Sequence, residues 1–326
     1  MIQQNSLLVT LVMLVDSIPS PTATEQGRGR PKTYSDKLFL KAIVIMIVKH
    51  LYRVFEFLSV LEQPTFEMQT LHELLREKGR YPTRRTWERR LKGIPESLPS
   101  QIGCFGRYLV AIILPWASCG RAVSVDSTVL RSNGGVWHKK DREAGKIPHT
   151  SIDTQAHWTK SGWHGWVYGW KLHLACVVAS VWIPLSAELT PANSADNEVA
   201  PALIYELPDD ARFVLGDLHY NAPNVREVCE RTNRLLIATE YGAYPHIDQG
   251  VEVRRIFHKL RSLAIENFNE HFKGIFDGHG QVPTKGLIHT QRFALGAILV
   301  YQLALLYRFQ HGLDLNIGLK AFIKAA

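Results

Sequence analysis

The sequence predicts an α/β fold, a mixed sheet flanked by helices, behind an all-helical N-terminal region. Three observations predict it. The N-terminal third carries only helical periodicity. RAVSVDSTVL (121–130) then alternates as a strand, and YGWKLHLACVV (168–178) and VWIPLSAEL (181–189) form two strand-like runs split by a turn at Ala179 and Ser180. From Asn193 onward helices and strands take turns, the pattern of parallel strands joined by crossover helices. At 326 residues the chain exceeds one compact domain. The expected division is a helical region at 1–115 and a sheet domain with a C-terminal helix at 116–326.

In chain order, LLVTLVMLV (7–15) has the apolar content of a signal-peptide core. No Lys or Arg precedes it and no small-residue cleavage site follows, so it reads as a short buried helix. The polar stretch 19–35 reads as a linker or arm, with Arg28, Arg30 and Lys32 available to DNA. Ser35 or Asp36 caps a helix whose apolar positions run on to Pro64, and a second helix is expected from Thr65 to Lys78. After the break GRYPT, Thr83 caps a short helix that turns Trp87 and Leu91 inward.

The sheet region continues with a helix at 193–207, a strand ARFVLGD (211–217), a helix at 221–232 and a buried strand RLLIATE (234–240). A helix at 256–277 follows, in which Ile265, Phe268, Phe272 and Ile275 recur at i, i+3, i+7 and i+10 as one apolar stripe. The last helix spans about 290–310, and its apolar run LGAILVYQLALLYRF falls short of the ~20 residues that span a bilayer. No membrane segment or membrane partner is expected.

Composition narrows the partner. The chain is 46% hydrophobic and 21% charged, hence globular, and its formal net charge of +8 favours a polyanion. Most of that excess lies between Arg76 and Lys92, where Arg76, Lys78, Arg80, Arg84, Arg85, Arg89, Arg90 and Lys92 face only Glu77 and Glu88. Two helices joined by a glycine-containing break, the second one basic, match a helix-turn-helix, and equally a basic solvated helix in a helical cap. On either reading Arg84, Arg85, Arg89 and Arg90 are the first candidates for phosphate contact. Four scattered cysteines form no CxxC pair and suggest neither zinc nor a disulfide framework, which fits a reducing cytoplasm.

Two acids follow apolar strand runs, Asp126 in VSVD and Asp217 in FVLGD. A single such Asp is ordinarily a turn or cap residue. Two can converge if their strands are neighbours, because functional groups gather at the carboxyl ends of parallel strands. Glu266, beside the apolar stripe, can be delivered to the same place, with Lys273 almost eclipsed two turns on. Three carboxylates brought together repel unless a cation lies among them. Oxygen donors without His or Cys suit Mg²⁺ or Mn²⁺.

VSVDST, YGWKLHL with WIPLSAELTPANSADN, FVLGDLHYN and RSLAIENFNEHFKGIF together resemble the DDE transposases of bacterial insertion sequences, over roughly 120–310. The resemblance implies a ribonuclease H-like catalytic domain in which Asp126, Asp217 and Glu266 hold two divalent ions, Mg²⁺ or Mn²⁺. It implies hydrolysis at the ends of the element and then strand transfer into target DNA. The partners would be the element's terminal inverted repeats and target DNA, with a homodimer in the DNA complex, in a bacterial cytoplasm. Lys273 matches the family's lysine seven residues after the glutamate. The family's arginine falls four residues before the glutamate, where this chain has Ser262; Arg261 is one residue further back, and Lys259 stands where the family has a tyrosine. Two rivals stay open, a nuclease of the same fold without strand transfer and a DNA-binding protein without activity.

Other features have competing readings. Trp163 and Trp166 can stack on unpaired bases, whereas Trp170 and Leu172 fit a sheet core. His173 fits a satisfied sheet histidine or a supporting group. WHKKDRE (137–143) reads as a loop with Lys139 and Lys140 near DNA, and His219 and Asn221 either assist Asp217 or cap the next helix.

Overall fold

The structure, a computed structural model, describes residues 6–21, 33–115, 120–162, 165–238 and 248–326, the side chains of 248–254 apart. Arg28, Arg30, Lys32, Trp163, His164 and the end of the 234–240 run lie outside the described residues. Two compact units result, Met1–Phe105 with Ile288–Ala326, and Gly106–Leu287. This division differs from the expected one at 115/116, and it groups the C-terminal helix with the first unit.

The chain opens with α1 (Leu7–Leu14), a 3-10 turn (Val15–Ser17), α2 (Asp36–Val48), α3 (Val54–Leu61), α4 (Phe66–Leu74), α5 (Arg84–Gly93) and α6 (Leu98–Ile113). Side-chain caps start several of these helices: Ser35 accepts from the Leu38 N–H at 3.3 Å, Thr65 from Met68 at 3.2 Å and Thr83 from Thr86 at 3.3 Å. The single helix expected from Ser35 to Pro64 is broken in two. His50 takes a left-handed φ of 53°, and Glu56 reaches back to the N–H groups of Tyr52 and Arg53 at 3.3 and 3.1 Å, which starts α3 afresh. Trp87 of α5 is fully buried and meets Phe39 and Phe57 edge-on, with ring centroids 5.1 and 5.4 Å away.

The second unit is built on six strands: β1 (Arg121–Arg131), β2 (His157–Ser161), β3 (Gly165–Val177), β4 (Pro184–Pro191), β5 (Ala211–Gly216) and β6 (Leu235–Ala238). Between them come α7 (Lys139–Glu143), α8 (Asp196–Tyr205), a 3-10 turn (Leu218–Tyr220) and α9 (Pro223–Arg231), and after them α10 (Asp248–Arg261), a π-helical turn (Ser262–Glu266) and α11 (Asn267–Ile275). The order is β2-β3-β1-β5-β6, with β4 on the same edge of β3 as β2 but further along the strand. β1, β2, β3 and β4 pair antiparallel, while β1, β5 and β6 run parallel. This is the mixed sheet flanked by helices that the sequence predicts. At Gly169 a Cβ would stand 2.0 Å from the Leu130 carbonyl oxygen, so only glycine lets β3 lie this close to β1.

Two elements differ from expectation: β2 lies where no strand is expected, and α7 replaces an expected loop. α6 fills the end of the expected helical region, where no individual helix is predicted. Pro99 lies in the first turn of α6, where a missing N–H costs nothing.

The chain returns to the first unit with α12 (Leu287–Gln310) and α13 (Leu319–Lys324). By length and composition α12 is apolar enough to cross a membrane, which corrects the expectation that it is too short; 83% of its most apolar window is buried inside the protein. Its Gln302 donates to the Ile102 carbonyl at 3.0 Å, and Gly296 lets Ile43 approach where a Cβ would clash at 2.6 Å.

Candidate active site

β1 and β5 bring the two aspartates together through their register. Ser124 stands beside Leu215 in the parallel pair, and continuing that register two residues brings Asp126 level with Asp217. β1 itself runs on to Arg131, so Asp126 sits mid-strand rather than at a strand end as expected. The expectation holds for the neighbour: β5 stops at Gly216, which leaves Asp126 open on that side. Asp217 caps the 3-10 turn, accepting from the His219 N–H at 2.9 Å. A Cβ on Gly216 would fall 2.8 Å from Tyr220, so the ring packs over the strand end that carries Asp217.

The late helix supplies the third carboxylate. Ile265, Phe268, Phe272 and Ile275 are all buried, at most 2% exposed, and seat this segment against the sheet as the stripe predicts. The turn from Ser262 to Glu266 is π-helical, which inserts one extra residue into the helix. Arg261 therefore reaches Glu266 across five positions, its Nη2 donating to Oε1 at 2.7 Å, while Ser262 Oγ donates to Oε2 at 2.7 Å. Trp182 Nε1 bonds the Leu263 carbonyl at 2.9 Å and holds the turn to the sheet.

One cavity of about 570 Å³ is lined by Asp126, Asp217, Glu266, Arg261 and Lys273 together. The lining also includes Lys171, Asp196 and Asn269, which sequence reasoning did not single out as site residues. Asp196 is the first residue of α8, five residues beyond the end of β4, and Ala195 rather than Asn193 holds the cap position. Asp196 Oδ1 accepts from Lys171 Nζ at 3.1 Å and lies 3.5 Å from His173 Nδ1. His173 is fully buried, with Nε2 2.9 Å from Thr190 Oγ1. Burial holds its pKa down at about 4, against the pull of Asp196 and aided by Lys171, so the ring is neutral at neutral pH.

The electrostatics centre on Asp126. Asp126 is partly buried and lines the cavity. Burial pushes it up to about 7, Asp217 and Asp196 add to the rise, and Arg261 and the Ser127 N–H oppose it. Lys273 is 7% exposed, and burial lowers its pKa while Glu270 and Asp126 raise it. Among the described residues its ammonium has no hydrogen bond or ion pair, an arrangement that favours an anion in the cavity.

In the first unit, α5 presents Arg84, Arg85 and Arg89 to solvent. Arg84 pairs with Glu88 at 2.8 Å. Arg90 differs: it is ion-paired with Asp36, and its guanidinium lies over Phe39, 4.4 Å from the ring centroid. It belongs to the packing of this unit rather than to the open basic face.

Among the described residues no three His, Cys, Asp or Glu side chains are grouped closely enough to hold a metal ion as they stand. Glu266 is turned to Arg261 and Ser262, and each aspartate gives one oxygen to a backbone N–H. The donor chemistry nevertheless fits a hard cation. The donors are all carboxylate oxygens, and a carboxyl as reluctant to ionise as Asp126 is one that a nearby dication would hold in its charged form.

A profile of the transposase DDE domain matches residues 117–303, more than half of the chain. Among curated proteins none matches. Among solved structures, the Mos1 strand transfer complex is 14% identical, with 86% of this chain and 81% of that chain covered at a TM-score of 0.24. The Mos1 mariner paired end complex with Mn is also 14% identical, with 90% and 84% covered at 0.23. Scores this low establish no shared geometry.

Proposed function

Because the chain belongs to the DDE-domain transposases, we propose that this cavity cuts DNA at the ends of a transposable element and joins the freed end to a target. The observation that carries the proposal is the gathering of Asp126, Asp217, Glu266 and an unpartnered Lys273 around one cavity. Asp126, Asp217 and Glu266 would hold divalent ions, Mg²⁺ or Mn²⁺, two in number. Such ions supply activation of the attacking oxygen and stabilisation of the leaving oxygen in an in-line displacement.

The chain's own groups do the rest. Lys273 holds a phosphate oxygen of the strand being cut, which gives its buried charge a partner. Arg261 keeps Glu266 oriented until the site is loaded. Arg84, Arg85 and Arg89 grip the phosphate backbone of the element's terminal repeat, independently of sequence. Hydrolysis breaks the P–O3′ bond and leaves a 3′-hydroxyl; that hydroxyl then attacks a target phosphodiester and displaces another 3′-oxygen. A homodimer would bring two ends together.

The test is a joining assay with DNA carrying the repeats that flank the gene, supercoiled plasmid as target, and Mg²⁺. Joined products that vanish with Asp217→Asn support the proposal. Cut ends without joined products would favour a nuclease of the same fold, and intact DNA throughout would favour a DNA-binding protein without activity.

A further inference from the structure

Lys160 of β2 stands directly opposite Trp166 of β3 in the antiparallel pair, so the two side chains share one face of the sheet, about 5 Å apart at Cβ. Thr159, Lys160, Ser161 and Gly162 line the cavity that Asp126, Asp217 and Glu266 also line. Trp166 therefore sits beside the cavity wall, and it is 66% exposed. No other tryptophan among the described residues is so open. Trp87 and Trp170 are fully buried, while Trp158 packs against Tyr168 with ring centroids 5.3 Å apart and donates from Nε1 to the Trp137 carbonyl at 2.8 Å. Lys160 is exposed as well, and among the described residues it has no hydrogen bond or ion pair.

An open indole and an open ammonium side by side match a ligand that is flat in one part and anionic in another. A nucleotide is both, with a base to stack and a phosphate to pair. Inside a duplex each base is covered by its stacked neighbours, whereas an unpaired base offers its face to a side chain. Every base has such a face, so the contact tolerates any sequence. We propose that Trp166 stacks on an unpaired base at the DNA terminus while Lys160 holds the adjoining phosphate, so that the strand enters the cavity with its last base pairs open. This inference rests on the DNA-cutting reading of the same cavity.

The experiment measures binding by the full chain, in EDTA, of two DNA duplexes that carry the repeats flanking the gene. One is fully paired, and the other is mismatched over its last few base pairs with the cut strand unchanged. Wild type is expected to bind the open duplex about tenfold more tightly, the scale of one base stacked on an aromatic ring. Trp166→Ala is expected to bind the two alike, and Trp166→Phe, which keeps a ring, to retain part of the difference. Lys160→Ala is expected to weaken binding of the open duplex and to lower the slope of log K against log salt by about 1.

Three results overturn the inference. A preference for the open duplex that survives in Trp166→Ala would show that the indole holds no base. A salt slope unchanged in Lys160→Ala would show that the ammonium holds no phosphate. Wild type that binds both duplexes equally would reject the open end while leaving the DNA-cutting reading intact, whereas wild type that binds neither removes the reading itself.

Discussion

Arg261 and Glu266 are five residues apart and joined at 2.7 Å, because the turn between them is π-helical. In a regular α-helix five positions span about 500°, which would set the two on different faces. The one-residue shift of the arginine relative to the family pattern is thus absorbed by the backbone. Removing the guanidinium takes away the main charge that opposes the rise of the Asp126 pKa. Arg261→Ala is expected to move the acid limb of the pH–rate profile for cleavage to higher pH, with Arg261→Lys restoring part of the shift. An acid limb identical in wild type and Arg261→Ala would contradict this.

The Asp126 carboxyl makes metal-free stability depend on pH. Its pKa rises from 3.8 to about 7 on folding, so between about pH 4 and pH 7 the folded chain keeps a proton that the unfolded chain has lost. Stability contributed by this group therefore falls as pH rises through that window and is lowest above pH 7. In EDTA at pH 8, Asp126→Asn is expected to be more stable than wild type by on the order of a few kcal/mol, and the gap should close near pH 4. Thermal denaturation at the two pH values measures it; a variant less stable at pH 8 would refute the burial argument.

The arginines of α5 are expected to separate into two kinds. Arg85 and Arg89 are exposed and have no partner among the described residues. Replacing both with Ala should weaken DNA binding and lower the slope of log K against log salt by about 2, with Tm unchanged. Arg90→Ala should instead lower stability by about 1–2 kcal/mol, because it loses the Asp36 ion pair and the contact with the Phe39 ring. Binding titrations at several salt concentrations and thermal scans tell the two apart.

Gly216→Ala tests how Asp217 is held. The added methyl would meet Tyr220 at 2.8–2.9 Å, and Tyr220 is 1% exposed with little room to move. Cleavage is expected to fall by more than tenfold, since small misplacement of a catalytic carboxylate is costly. Wild-type rates in this variant would show that the Tyr220 contact does not position Asp217.

Much of this was readable from the chain because the patterns were long or chemically specific. The β1 alternation, the β3–β4 hairpin and the four-residue apolar stripe under Glu266 each repeat often enough to fix an element and its buried face. What escaped was local. HWTKS, the strand β2, is five residues long with no fully buried face, so it carries no alternation to detect. The break at His50 depends on one left-handed residue and on Glu56 reaching back, neither of which disturbs the apolar spacing. Period 3.6 cannot reveal a single π turn, so Arg261 looked misaligned. Asp196 was hidden because strand end and helix start fall within a few residues, and a cap explained the segment without it.

The central claim is that Asp126, Asp217 and Glu266 act as one divalent-ion site for cutting DNA. Its most direct test is single-turnover cleavage of DNA carrying the flanking repeats, in Mg²⁺ and in EDTA, by wild type, Asp126→Asn, Asp217→Asn and Glu266→Gln. The account predicts cleavage by wild type in Mg²⁺ only, and a loss of about a thousandfold or more in each variant whose fold and DNA binding are intact. Equal rates in wild type and the three variants, or cleavage that persists in EDTA, would contradict it.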